Sequence, residues 1–136
     1  MNSDTIATYG RLYNFHAVGT GKLAPEGWHV PSDEEWSTLI SFLGDNNLAG
    51  GKLIETGVIH WSDPNNSANN ESGFTALPGG FRAGDGSFIN MGKVGIWWSS
   101  TGPLLAYHRS LTCDFADVFR IYFAKESGYS VRCVKD

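Results

Sequence analysis

Four apolar residues, Trp36, Leu39, Ile40 and Leu43, recur at i, i+3, i+4 and i+7, the spacing of one buried helical face. The start of this helix is marked as clearly as its face. Ser32 is a good N-cap, Glu35 stands three residues on as a capping-box partner, and Pro31 precedes both. Asp33 and Glu34 add negative charge to the first turn, where the helix dipole favours it, and Gly44 ends the element. A shorter helical piece is expected over residues 48–55, weakened by Gly50 and Gly51. Upstream, Tyr9, Leu12, Tyr13 and Phe15 give residues 9–18 the character of a first strand, with a turn-rich link over 19–27.

The Asn/Ser/Asp-rich stretch 61–73 reads as a long loop. Short apolar runs separated by turn residues then predict strands at 74–77, 80–82, 88–91, 97–100, 107–112, 118–123 and 129–134. No internal repeat, linker or low-complexity tract interrupts them. The expectation is one α+β domain over residues 1–136, with early helices packed on a late, twisted antiparallel sheet and many loops. A chain of 136 residues can bury a core without staples, and 17 glycines with a high aromatic share suit a loop-rich fold better than a helical bundle.

One segment fits neither period. Residues 102–124 are crowded with Leu, Tyr, Phe, Ile and His but contain no Lys, Glu, Gln, Met or Trp. Neither a clean alternation nor a helical repeat runs through them. A large apolar load without periodicity suggests residues chosen for contact with something outside the fold. Tyr107, His108, Phe115, Phe119, Tyr122 and Phe123 offer stiff contact area with polar tips, and Asp114 and Asp117 can add charge complementarity at its rim. For Phe119, Ile121 and Phe123, inward alternation on a core strand is an equal alternative.

The net charge of −4 and the lack of any Lys/Arg cluster argue against nucleic acid as the partner. No run approaches a membrane span, so no membrane insertion is expected. The opening Met-Asn-Ser-Asp-Thr-Ile carries no leader-like pattern, which fits either production without export or prior removal of a leader. Cys113 and Cys133 leave three readings open: a bridge, a buried thiol or a free one.

Six blocks share an order and spacing. They are Tyr9–Asn14, Gly27–Trp36 (Gly-Trp-His-Val-Pro-Ser-Asp-Glu-Glu-Trp), Ala49–Leu53, Gly73–Arg82 (Gly-Phe-Thr-Ala-Leu-Pro-Gly-Gly-Phe-Arg), Trp97–Thr101 and Ser130–Val134. Together they resemble the Fibrobacter succinogenes major paralogous domain family over nearly the whole chain. That family is similar in fold to the formylglycine-generating (sulfatase-modifying) enzymes and to C-type lectins. The resemblance therefore implies a C-type lectin-like fold, a place at a cell, secreted or virion surface, and blocks that act as framework. The family commonly has a Cys where this chain has Ala24, so the usual partner of Cys133 is missing.

On that frame Ala106, Arg109, Leu111, Val118, Arg120 and Lys125 look like framework positions. The unusual residues lie between them: Pro103, Leu104, Leu105, Tyr107, His108, Ser110, Thr112, Cys113, Asp114, Phe115, Ala116, Asp117, Phe119, Ile121, Tyr122, Phe123 and Ala124. All can be encoded by codons ending in a pyrimidine, and such codons cannot specify the five absent types. The pattern resembles the variable proteins of diversity-generating retroelements, in which Asn codons are rewritten by adenine-directed mutagenesis. The expected ligand-binding set is Leu104, Leu105, Tyr107, His108, Ser110, Thr112, Asp114, Phe115, Asp117, Phe119, Ile121, Tyr122 and Phe123, with a protein or glycan as ligand. A structural module of a surface or phage assembly is the alternative.

Catalytic chemistry is not visible. Cys113 and Cys133 do not fall in a block matching the oxidising thiol site of the formylglycine-generating relatives. Trp61-Ser62-Asp63-Pro64-Asn65 superficially resembles lectin sugar and calcium signatures in the wrong order. Asp63, Asn65, Asn69, Asn70 and Glu71 supply oxygens for a hard cation, but a solvated loop explains them as well. His16, His29, His60 and His108 lack ligand spacing, and His29 is expected to order the turn before the helix. No phosphate loop, Ser nucleophile or Cys/His dyad appears. The expectation is no catalytic residue, no metal and no cofactor.

Overall fold

The computed structural model describes residues 2–102 and 104–136. Its first helix, Ser3–Tyr9 (α1), ends where the sequence suggested a strand over 9–18, and its second, Phe15–Gly19 (α2), stands inside that stretch. Each opens on an asparagine. Asn2 accepts from the Thr5 N–H at 2.9 Å and Asn14 from the Ala17 N–H at 3.0 Å, satisfying donors that a helix start leaves orphaned. Phe15 and Val18, three apart, then share one buried face of α2. Aromatic content alone is a weak strand signal when a cap competes; only Tyr13 keeps a strand-like bridge here, to Tyr129.

The third helix, Asp33–Phe42 (α3), forms with the expected capping box. Ser32 Oγ accepts from the Glu35 N–H at 3.1 Å, and Glu35 accepts from the Ser32 N–H at 2.8 Å. A short fourth helix, Ala49–Leu53 (α4), keeps its glycines because neighbours approach closely. A Cβ on Gly50 would meet the Ala116 and Asp117 carbonyl oxygens, and one on Gly51 the Ser67 carbonyl.

The strands are short and antiparallel. Trp28–His29 (β1) pairs with a strand near the C-terminus, Val134–Lys135, and Phe81–Arg82 (β2) pairs with Phe88–Ile89 (β3). The central sheet runs in the order Val94–Trp98 (β4), Ala106–Thr112 (β5), Phe119–Phe123 (β6); Val134–Lys135 is β7. Several expected strands shrink or shift: 80–82 and 88–91 lose residues to give β2 and β3, and the strand expected over 97–100 runs earlier, as β4. Residues 74–77 contribute one bridge, Ile54 to Ala76, and residues 129–134 contribute bridges at Tyr129 and Ser130 before β7 begins. The architecture is mixed helix and sheet built from small antiparallel sheets, with no barrel.

β4 and β5 lie between two apolar clusters. One gathers Trp36 and Ile40 of α3 with Leu53, Trp61, Trp97, Leu111, Cys113 and Val118. The other holds Phe15, Val18, Val30, Ile96, Trp98, Ala106 and Tyr129. Successive residues of β4 alternate between them, so both faces are covered and 94–98 reads as a continuous apolar run. The buried indoles are satisfied. Trp98 Nε1 donates to the Tyr13 carbonyl at 2.7 Å, Trp61 Nε1 to Ala76 at 2.9 Å and Trp36 Nε1 to Trp98 at 3.3 Å. Among the described residues no helix is long and apolar enough to cross a membrane.

Candidate functional site

β6 is the edge of the central sheet, and it overhangs both clusters. β5 is buried at Ala106 and from His108 to Leu111, whereas every residue of β6 is exposed. Leu104 (88 %), Leu105, Phe115, Phe119, Ile121, Tyr122 and Phe123 (61 %) form an apolar stretch open to solvent. Phe115 meets Phe119 edge-on at 6.3 Å, and Tyr107 meets Tyr122 at 6.0 Å. Phe119, Ile121 and Phe123, for which core and contact readings were equal, project beyond the core.

The other expected contact residues divide. Asp114 is exposed, and Tyr107, Thr112 and Asp117 are half-buried. His108 and Ser110 are a correction: both are buried and cannot reach a partner. They point from β5 into the second cluster, where His108 lies against Trp98 (5.7 Å) and Tyr129 (4.6 Å). Cys113, among the unusual residues, is buried in the first cluster. Pro103 lies outside the described residues. The framework positions Ala106, Arg109, Leu111 and Val118 are buried, Arg120 is exposed and Lys125 is half-buried.

A charge cluster ties this surface to α3. The Asp33 carboxylate accepts from Arg109 Nη1 at 2.5 Å and from Arg120 Nη2 at 2.8 Å and Nε at 3.0 Å. Arg109 Nη2 also donates to Ser37 Oγ at 3.0 Å. Burial pushes the Asp33 carboxyl up, but the hydrogen bonds and charges of the two guanidiniums outweigh it and hold the group below its usual range. The Arg120 guanidinium lies 4.1 Å from the centre of the Tyr107 ring. Asp33 therefore helps to start α3 and also positions β5 and β6. Its capping signal was plain in the sequence; its long-range role, across 76 and 87 residues, was not.

Burial lowers the His108 imidazole from 6.5 to about 4, with the Arg109 charge acting in the same direction. His108 is thus a neutral core residue. His29 differs. It lies between Asp136 (2.6 Å) and Glu35 (2.8 Å), and its hydrogen bonds to these carboxylates raise its pKa, Asp136 contributing most. It joins β1, the C-terminus and the first turn of α3, as its expected ordering role requires.

The Asn-rich loop uses most of its polar groups to tie itself to neighbouring segments. Asn65 is buried and donates to the Glu55 and Gly57 carbonyls, Asn69 Oδ1 accepts from the Glu71 N–H, and Asn70 bonds Thr75 twice. Glu71 lies 3.7 Å from Lys52. Among the described residues no group of three or more His, Cys, Asp or Glu could hold a metal ion. Cys113 and Cys133 are both free, and burial raises both thiols.

A family model described as the Fibrobacter succinogenes major domain matches residues 2–135. No curated protein and no solved structure matches the chain.

Proposed function

The chain belongs to the Fibrobacter succinogenes major domain family, and from that membership we propose that it is a recognition domain of C-type lectin-like fold, binding a protein or glycan through β6 and its flanks. One observation carries the reading: seven large apolar residues between Leu104 and Phe123 stand exposed around a single edge strand. Isolated apolar residues on a surface need no explanation, but a clustered set marks an interaction site. Aromatic side chains suit such a site because they bring large contact area with few rotatable bonds.

The same frame supports a retroelement origin for the surface. Four framework positions, Ala106, Arg109, Leu111 and Val118, are interior, and the exposed apolar residues between Leu104 and Phe123 are all at pyrimidine-compatible positions. A scaffold of that kind tolerates replacement of its contact residues without repacking its core. His108, Ser110 and Cys113 mark the limit of the division, since they are interior and lie among the unusual residues. An adenine-rich near-duplicate of this coding region beside a reverse transcriptase gene is expected; a genome without one refutes the origin but not the recognition role.

Recognition is tested by probing a glycan array and an immobilised protein panel with the wild type and with a Phe115→Ala/Tyr122→Ala/Phe123→Ala variant. A ligand bound by the wild type and lost by the variant is the expected result. Equal binding by both proteins contradicts the assignment to β6.

A further inference from the structure

We propose that the open edge of β6 pairs with β6 of a second copy of this chain, forming a two-fold antiparallel dimer centred on Ile121. The backbone directions come from β5. The Ser99 N–H donates to the Tyr107 carbonyl at 2.9 Å and the Cys113 N–H to the Lys93 carbonyl at 3.2 Å. Odd-numbered residues of β5 therefore turn their N–H and C=O toward β4. The even ones, Ala106, His108 and Ser110, bond β6 at their partners Phe123, Ile121 and Phe119. By alternation, Arg120 and Tyr122 turn their N–H and C=O groups to the free edge, where no backbone partner meets them among the described residues; the Asn46 carbonyl, accepting from the Val118 N–H at 2.8 Å, bounds that edge at its start.

These free groups are self-complementary. Two copies paired antiparallel about Ile121 set Arg120 opposite the partner's Tyr122 and Tyr122 opposite the partner's Arg120. Both positions carry outward groups, so both become hydrogen-bonded pairs. The register sets Arg120 beside an aromatic ring rather than beside its own copy, avoiding like charges directly across. Phe119 falls opposite the partner's Phe123, and the two Ile121 side chains face each other. Exposed apolar residues also flank the strand, Phe115 beyond one end and Leu104 and Leu105 beyond the other. The two-fold brings the first end of one copy to the second end of its mate.

Edge strands are commonly protected by Lys, Pro, a bulge or a covering element. β6 reads Phe-Arg-Ile-Tyr-Phe, with no Pro or Lys, and its five residues are exposed on both faces. Its one cation, Arg120, is already paired with Asp33, so it does not guard the edge as a free charge does. Pairing uses up this edge, so assembly closes at two. A dimer and a ligand would compete for the strand, but neither requires the other.

The test uses the full chain alone, with sedimentation equilibrium over a concentration series and amide hydrogen exchange read residue by residue. The expected result is a reversible monomer–dimer equilibrium. Protection of the Arg120 and Tyr122 amides rises with concentration, whereas the Ile121 amide, bonded to β5, is protected throughout. Tyr122→Pro removes an outward donor and no bond within the chain, which an edge position tolerates. Ile121→Lys sets like charges face to face. Each variant should weaken the dimer at least about tenfold while melting cooperatively; if Tyr122→Pro fails to fold, Ile121→Lys and the wild-type exchange pattern decide. A wild type that stays monomeric with both amides unprotected at every concentration overturns self-pairing and leaves the edge to a different partner. A dimer that survives Ile121→Lys, or assembly beyond two, overturns it as well.

Discussion

Acid should destabilise this protein through His108. The imidazole is 3 % exposed, packed against Trp98 and Tyr129, and its Nδ1 has no hydrogen-bond partner. Its pKa falls from 6.5 to about 4 on folding, so between those values the unfolded chain binds a proton that the folded one refuses. Stability is then fully present above 6.5 and is lost as the pH falls, at about 1.4 kcal/mol per unit. From about pH 7 to about pH 5 this amounts to about 2 kcal/mol. Unfolding carries pH dependence from elsewhere in the chain as well, so the quantity to read is a difference. Urea unfolding of the wild type and of His108→Phe at both pH values should show the wild type losing about 2 kcal/mol more than the variant. Parallel losses, or an NMR titration of His108 near 6.5, would refute the argument.

Three further outcomes follow from the packing. Asp33→Asn leaves the buried Arg109 guanidinium without its counter-charge and should cost about 3 kcal/mol in urea unfolding, whereas Arg120→Ala, removing a half-exposed side chain, should cost about 1 kcal/mol or less. Gly50→Ala drives a methyl into the Ala116 and Asp117 carbonyls and should destabilise by about 1–3 kcal/mol; Gly84→Ala, where a Cβ meets nothing within 4 Å, is the control that should change melting little. His29 should titrate above 6.5 by NMR, because Asp136 and Glu35 favour its charged form. The stability from that site is present below 6.5 and lost as pH rises through the raised value, opposite in sign to His108, and His29→Gln should abolish it.

What could be read from the sequence was local. The α3 capping box and its apolar face are encoded within twelve residues, Ser32 to Leu43, and formed as expected. The Asn caps of α1 and α2 are equally local, but a single polar residue beside an aromatic run is a weak signal in the sequence. The burial of His108 and Ser110 was not legible, because it depends on a second apolar cluster assembled from Phe15, Val30 and Tyr129, distant in the chain. The same arrangement explains the missing period in residues 102–124. β5 has a core on each face and β6 has none, so neither strand shows the half-buried alternation that marks a one-sided sheet. The exposure of Phe119, Ile121 and Phe123 followed from β6 lying beyond the edge of both clusters, a fact of topology rather than of composition.

Recognition through β6 requires that its apolar residues and those of its flanks be displayed for a partner rather than packed for the fold. Urea unfolding of the Phe115→Ala/Tyr122→Ala/Phe123→Ala variant tests this most directly, because all three side chains are more than half exposed. The predicted loss is under about 2 kcal/mol for the three together, as for surface replacements. A loss of about 3 kcal/mol for each aromatic, the scale of core truncation, would contradict it.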